Sequence, residues 1–133
     1  MSQSADELIR EFCDALNTGD LERATDLLDP DVVQHGTRGG IDQDRVFRGL
    51  PTVLDYWNDV GDTWAAIRYE PERIVESGDL IVVFWREKAR SPRSEVEIET
   101  ETAAIFKIRD GKIAELRGYM DRAEALRAAG LAS

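Results

Sequence analysis

Cysteine and histidine occur once each in the 133 residues, as Cys13 and His35. A single thiol closes no internal disulfide, and a cysteine-based zinc cluster needs several. With one histidine and no acidic cluster at ligand spacing, metal binding is not expected. No apolar run approaches the roughly 20 residues that span a bilayer. The N-terminal MSQSADELIREF is acidic and amphipathic, with no basic stretch ahead of an apolar core. No secretion signal is read there, no membrane association is expected, and a reducing cytoplasm is the expected location. Basic residues are outnumbered, 17 Lys and Arg against 27 Asp and Glu, for a formal charge of −10. Nucleic acid needs a cationic surface, and the arginines here are interleaved with acids, so it is excluded as a partner. The excess of acid reads as solubility through self-repulsion. Internal repeats and low-complexity tracts are also missing.

What is present is ordinary globular composition, 42% hydrophobic and 33% charged, which argues against disorder. The length fits a single domain over 1–133, large enough for a core and a small pocket. Ser4 can cap a first helix on which Leu8, Phe12, Ala15 and Leu16 recur at helical spacing, with Ile9 beside them. Asn17-Thr18-Gly19 ends it, and Asp20 can cap a second helix carrying Leu21, Ala24, Leu27 and Leu28. Asp29-Pro30-Asp31 stops that one, and a short strand, Val32 to His35, follows. GTRGGIDQD reads as loop, and LPTVLDYWNDV as a third helix with Pro51 in its first turn. Beyond it the segments are extended: Trp64–Ile74, Leu80–Lys88, Glu95–Arg109 and Lys112–Met120, separated by SGD, RSPRS and DG. Helices first and then a meandering antiparallel sheet is an α+β signature.

The last hairpin can be read more finely. Ile98, Thr100, Thr102, Ala104, Phe106 and Ile108 share one face, and Glu97, Glu99, Glu101 and Lys107 the other. A two-residue Asp110-Gly111 turn would put Phe106 on the same face as Glu115. A three-residue Arg109-Asp110-Gly111 loop with a glycine bulge pairs Ile108 with Lys112 and aligns the two apolar faces. The bulged loop is therefore expected. The inner wall then holds Thr100, Thr102, Phe106 and Met120 around Ala104, Leu116 and Gly118, apolar with two hydroxyls, as a ligand cavity requires. Asp121 with Glu124 opens a short closing helix, and Gly130-Leu131 reads as its Schellman stop.

Three stretches carry a resemblance: FCDALNTGDLERATDLLDPDVV, the FRG ahead of a helix ending in YWND, and IRDGKIAELRGYMDRAEALRAAGL. Together they resemble the SnoaL-like branch of the nuclear transport factor 2-like superfamily across nearly the whole chain. The resemblance implies a cone-shaped, bent antiparallel sheet, an α+β barrel, wrapped around the N-terminal helices with a pocket inside. It implies no single chemistry, because the fold hosts polyketide cyclases, ketosteroid isomerases, epoxide hydrolases and binding domains. Carried over by position, the isomerase base falls near His35 and its oxyanion donor near Ala104. The cyclase acid falls near Gly118, with its histidine near Ala103 or Ala104. The Arg-x-Asp of epoxide hydrolases meets Arg86-Glu87-Lys88. None of these catalytic sets is complete. Relatives commonly dimerise through the convex sheet face, so a homodimer centred on Ala103, Ile105, Ile113 and Tyr119 is expected.

His35 alternates with Val33 and is read as facing inward, where imidazole can act as base or acid; the plain alternative is a histidine bonded to backbone at a strand end. Arg86 follows an apolar run that hides its face, so it either meets an anionic oxygen in the pocket or pairs with the Glu97/Glu99/Glu101 row outside. Asp121 is weighed as an acid but reads first as a helix cap. Tyr56 and Trp57 lie on the third helix, with one of them turned to the cavity. Asp42 and Asp44 sit in a loop beside its mouth and read as solvated. The leading expectation is an enzyme without cofactor, a cyclase or isomerase moving a proton on a small apolar oxygenated metabolite, with a polyketide- or terpenoid-like ligand. The alternatives are a non-catalytic pocket protein and, more weakly, an epoxide hydrolase.

Overall fold

A computed structural model describes residues 4–40, 42–63, 66–90 and 96–131, with backbone alone for 60–63 and 66. Helix α1 spans Ala5–Thr18. The Ser4 hydroxyl oxygen accepts from the Glu7 N–H (3.2 Å) and the hydroxyl donates to the Glu7 carboxylate (3.0 Å), fixing where it starts. Gly19, at φ 73°, ends it in the left-handed conformation. Helix α2, Leu21–Leu27, is capped by Asp20 as its sequence suggests.

Strand β1 departs from expectation. It begins directly after α2 and runs the eleven residues Leu28–Arg38, with the expected Val32–His35 at its centre. Asp29-Pro30-Asp31 does not delay it. The Asp29 carboxylate accepts from the Asp31 N–H at 2.8 Å, and Pro30 falls where pairing to the neighbouring strand is broken, so its missing donor costs nothing. The stretch read as loop, 36–44, is entered by β1 as far as Arg38, and a short strand β2, Val46–Arg48, follows it and folds back on β1. Helix α3, Leu50–Thr63, follows, and then strands β3 (Ala66–Ser77), β4 (Leu80–Arg90), β5 (Glu97–Arg109) and β6 (Lys112–Tyr119) and helix α4 (Arg122–Ala128). The expected strand starts at Trp64 and Glu95 lie outside the described residues.

The six strands form one sheet in the order β2-β1-β6-β5-β4-β3. Every neighbouring pair is antiparallel except β1 and β6, which run parallel, so the sheet is mixed rather than wholly antiparallel. It curls around the helices without closing into a barrel, β2 and β3 remaining its edges. The fold is α+β, as the element order implied. Inside the curl, fully buried Phe12 of α1 sits edge-on between Trp57 (centroids 6.2 Å apart) and Phe106 (5.8 Å). No helix among the described residues is long and apolar enough to cross a membrane.

The β5–β6 hairpin reaches the expected faces by another route. Its turn is the tight two-residue Asp110-Gly111, both at positive φ (54° and 77°), with Arg109 opposite Lys112. The odd register this imposes is repaired inside β6. Ile108 faces Ile113 but Lys107 faces Glu115, so Ala114 bulges out and Phe106 comes opposite Leu116. Thr102, Ala104 and Phe106 are buried, and Glu97, Glu99 and Glu101 are exposed. Ile98, expected inward, is 54% exposed at the start of the strand.

The convex face is also partly covered. Val82, Phe84, Ala103 and Tyr119 form a second buried cluster with Ala125 of α4, and Ile113 belongs to the inner core instead. Ala103 and Tyr119 of the apolar centre expected there thus pack against the chain's own helix, while Ile105 stays half-buried. Arg122 fastens that helix: its Nε donates to the Thr102 carbonyl (3.0 Å) and its Nη2 to the Trp85 carbonyl (2.8 Å) and to Glu72 (2.7 Å). The Schellman stop is in place, Leu131 N–H donating to the Leu126 carbonyl at 2.9 Å with Gly130 at φ 74°.

Candidate functional site

Strand β4 explains the inner site. Its cross-strand partners put Trp85 opposite Thr102 and Glu87 opposite Thr100, both on the cavity side, and leave Phe84 and Arg86 outside. Glu87 lines a cavity of about 60 Å³ together with Gln34, Thr37, Tyr56, Trp57, Tyr69, Trp85 and Thr102. That is room for about four to six water-sized groups. The Thr102 hydroxyl donates to Glu87 Oε2 at 2.8 Å. Burial pushes the Glu87 carboxyl above the usual carboxylate range, and the Thr102 hydrogen bond offsets only part of this. The Tyr56 phenol is pushed up to about 12 by burial, then by the charges of Asp42, to which it is hydrogen-bonded, and Glu87. Burial also raises the Tyr69 phenol well above its ordinary value. Both phenols therefore stay protonated and act as donors at neutral pH.

The neighbouring elements hold this arrangement. Asn17 of α1 grips the β3 backbone at Tyr69 twice, donating to its carbonyl (3.0 Å) and accepting from its N–H (2.7 Å). In β1 the side chains of Val32 and Gln34 are buried, and a shift in pairing after His35 brings Thr37 to the cavity as well. Two glycines make room for the turn. A Cβ on Gly118 would lie 2.9 Å from the Thr37 hydroxyl, and one on Gly36 would run into the Asp42 carbonyl.

His35 lies on the opposite face, contrary to the inward reading. The buried alternation of β1 runs through Val32 and Gln34, one residue out of phase with the Val33–His35 pairing that was assumed. Its Nδ1 is 2.9 Å from Arg117 Nη2 and its Nε2 2.6 Å from Glu115 Oε1. Arginine can only donate, so Nδ1 accepts, the ring proton sits on Nε2, and that N–H is given to Glu115. Both nitrogens are occupied. His35→Gln is therefore expected to leave turnover unchanged while lowering the melting temperature, which assay and thermal denaturation would show together.

Arg86 takes the outer alternative, paired with Glu99 (2.6 Å), Glu72 (3.2 Å) and Glu101 (3.3 Å). Asp121 caps α4, accepting from the Ala123 N–H at 2.9 Å. Tyr56, Trp57 and Thr102 line the cavity; Thr100 is half-buried beyond them. Phe106 is core, wedged between Phe12 and Trp85. Met120 has left the wall, since β6 ends at Tyr119, and is 44% exposed. The residue that sequence reasoning missed is Glu87. The signal was available: if Arg86 pairs with the outer glutamates, alternation alone turns Glu87 inward.

A second hollow of about 220 Å³ lies on the convex side beside α4, lined by His35, Lys107, Glu115 and Arg117 with Leu80, Ile105 and Ala128. It is larger but more open, and its charged groups largely neutralise one another, so the inner cavity is the candidate site.

Comparison with known proteins agrees with this fold. No curated protein matches the chain. Among solved structures, IdmH of Streptomyces antibioticus, provisionally a polyketide cyclase, is 21% identical over 87% of this chain and 91% of its own, with a TM-score of 0.74. TerC, co-crystallised with polyporic acid, is 20% identical over 94% and 97% (TM-score 0.76). A hypothetical protein of ketosteroid isomerase-like fold from Catenulispora acidiphila, in complex with trimethylamine, is 12% identical over 96% and 95% (TM-score 0.77). At these identities the likeness is one of fold. The SnoaL-like domain model matches residues 9–116, most of the chain, and the protein belongs to that family.

Proposed function

We propose that the chain is an enzyme of the cyclase or isomerase type that moves a proton on a small, apolar, oxygenated metabolite, polyketide- or terpenoid-like, held in the inner cavity. The observation that carries this reading is Glu87, a buried carboxyl oriented by Thr102 within a cup of aromatic rings. With Oε2 held, Oε1 is the oxygen that takes a proton from carbon beside a carbonyl. The Trp57 indole N–H, buried without a hydrogen-bond partner, and the second N–H of the Gln34 amide supply donors for the oxyanion that develops. The cavity accepts the reacting end of a ligand, a carbonyl and its flanking carbons, with the remainder toward the mouth. Arg86, turned outward, leaves the epoxide-hydrolase reading without its arginine. The likeness to proteins assigned as cyclases supports the reaction class.

Hydrogen–deuterium exchange beside the carbonyl of a panel of cyclic ketones, followed by NMR in heavy water, tests the proposal. Exchange should rise with pH through the Glu87 titration, above the ordinary carboxylate range, and vanish in Glu87→Gln. Ketones that bind but exchange no faster with the wild type than with Glu87→Gln would make this a binding protein.

A further inference from the structure

Five aromatic side chains and one carboxylate line the cavity, and no basic side chain does so among the described residues. Tyr56, Trp57, Tyr69 and Trp85 touch in succession, with centroids 5.4, 5.8 and 4.9 Å apart and ring planes at 77°, 84° and 46°. The first two contacts are edge-to-face and the third is tilted, so the rings adjoin around the cavity rather than stack, and aromatic faces are negative. Glu87 adds a full charge to that cavity, and Asp42, bonded to Tyr56, a second at its rim.

We propose that this cup seats a small methylated ammonium group, as a free cation or as the charged end of a larger molecule. Aromatic walls attract such a cation through their ring faces, and its methyls fill apolar space that a bare ammonium would leave poorly packed. A trimethylammonium group is of the size the cavity holds. A neutral group of the same shape would leave the Glu87 charge buried without compensation, which is costly. Burial already holds the Glu87 carboxyl above its usual range with no cation to counter it. A bound cation supplies that counter-charge and favours the ionised carboxylate. The inference goes beyond the reaction proposed above and holds whether or not Glu87 moves a proton from carbon.

The test is titration of tryptophan fluorescence and calorimetry with tetramethylammonium, choline and 3,3-dimethyl-1-butanol, the uncharged carbon analogue of choline. The two cations should bind, and the alcohol should bind about 10-fold more weakly or worse. Tighter binding of tetramethylammonium marks a free methylated amine, and tighter binding of choline marks an ammonium end carrying a tail. Trp57→Leu should weaken choline by about 10-fold, and Trp85→Leu serves where thermal melts show the first variant unfolded. Equal affinity of choline and its carbon analogue, or no saturable binding of any probe, overturns the proposal. Ketone exchange without choline binding leaves the enzyme standing and removes the cation seat; choline binding without exchange does the reverse.

Discussion

Glu87→Gln should lower turnover by about 10²–10⁴-fold and at the same time raise the melting temperature at neutral pH. The amide keeps the shape of the side chain and a hydrogen bond from Thr102, but it can neither accept a proton from carbon nor carry a charge. The stability gain follows from linkage. A carboxyl whose folded-state pKa lies above its ordinary 4.5 binds its proton more tightly in the folded protein. The wild type is therefore at its most favourable below that ordinary value. It loses stability as pH rises through the interval up to the raised pKa, and the loss then stays constant. The glutamine variant has no such titration, so the gap between the two melting curves should open across that interval and close in acid. Calorimetry over a pH series, beside turnover on the same preparations, reads both effects. A variant that loses turnover but gains no stability at neutral pH would mean that Glu87 is held charged without strain.

Phe12→Ala should be the most damaging change outside the cavity, costing roughly 3–5 kcal/mol. The ring is fully buried and stands edge-on to both Trp57 and Phe106, so its removal opens a void between α1, α3 and β5 that rigid neighbours cannot fill. Against a total stability of about 5–15 kcal/mol, the melting temperature should fall by roughly 10 °C or more. Trp57 is also a cavity wall, so ligand affinity should weaken in the fraction that remains folded. Chemical denaturation measures the first effect, and a loss of only a few tenths of a kcal/mol would show that the core closes over the gap.

The elements of this fold were legible where a local signal settles them. Ser4, Asp20 and Asp121 cap their helices, and the helical spacing of α1 names the side that is buried. The inward face of β5 was legible too, because alternation with a row of glutamates needs no partner to interpret. Non-local decisions were not. Whether β1 buries Gln34 or His35 depends on α3 and β6, and two adjacent polar residues offer no periodicity to choose between. The position of the bulge in β6 depends on whether the turn or the strand absorbs the odd residue, and either satisfies the apolar pattern. Glu87 was legible only through the pairing of Arg86 with the outer glutamates, since β4 is apolar on both faces through Ile81–Trp85, one face covered by the core and the other by α4.

The parallel pairing of β1 with β6 has a consequence for how the chain reaches this state. His35 meets Glu115 and Arg117 across 80 and 82 positions of sequence, and nothing local brings those strands together. The β3–β6 meander can assemble through near-neighbour hairpins, whereas β1 must wait for its last strand before it has an edge to join. Ordering so long a loop before its contacts are made is slow, so docking of β1 onto β6 should be the late step of folding. Gln34 and Thr37 stand on one side of that seam and Glu87 and Thr102 on the other. The inner cavity is thus the last part of the molecule to exist, and a ligand seated in it would hold the seam shut against local opening.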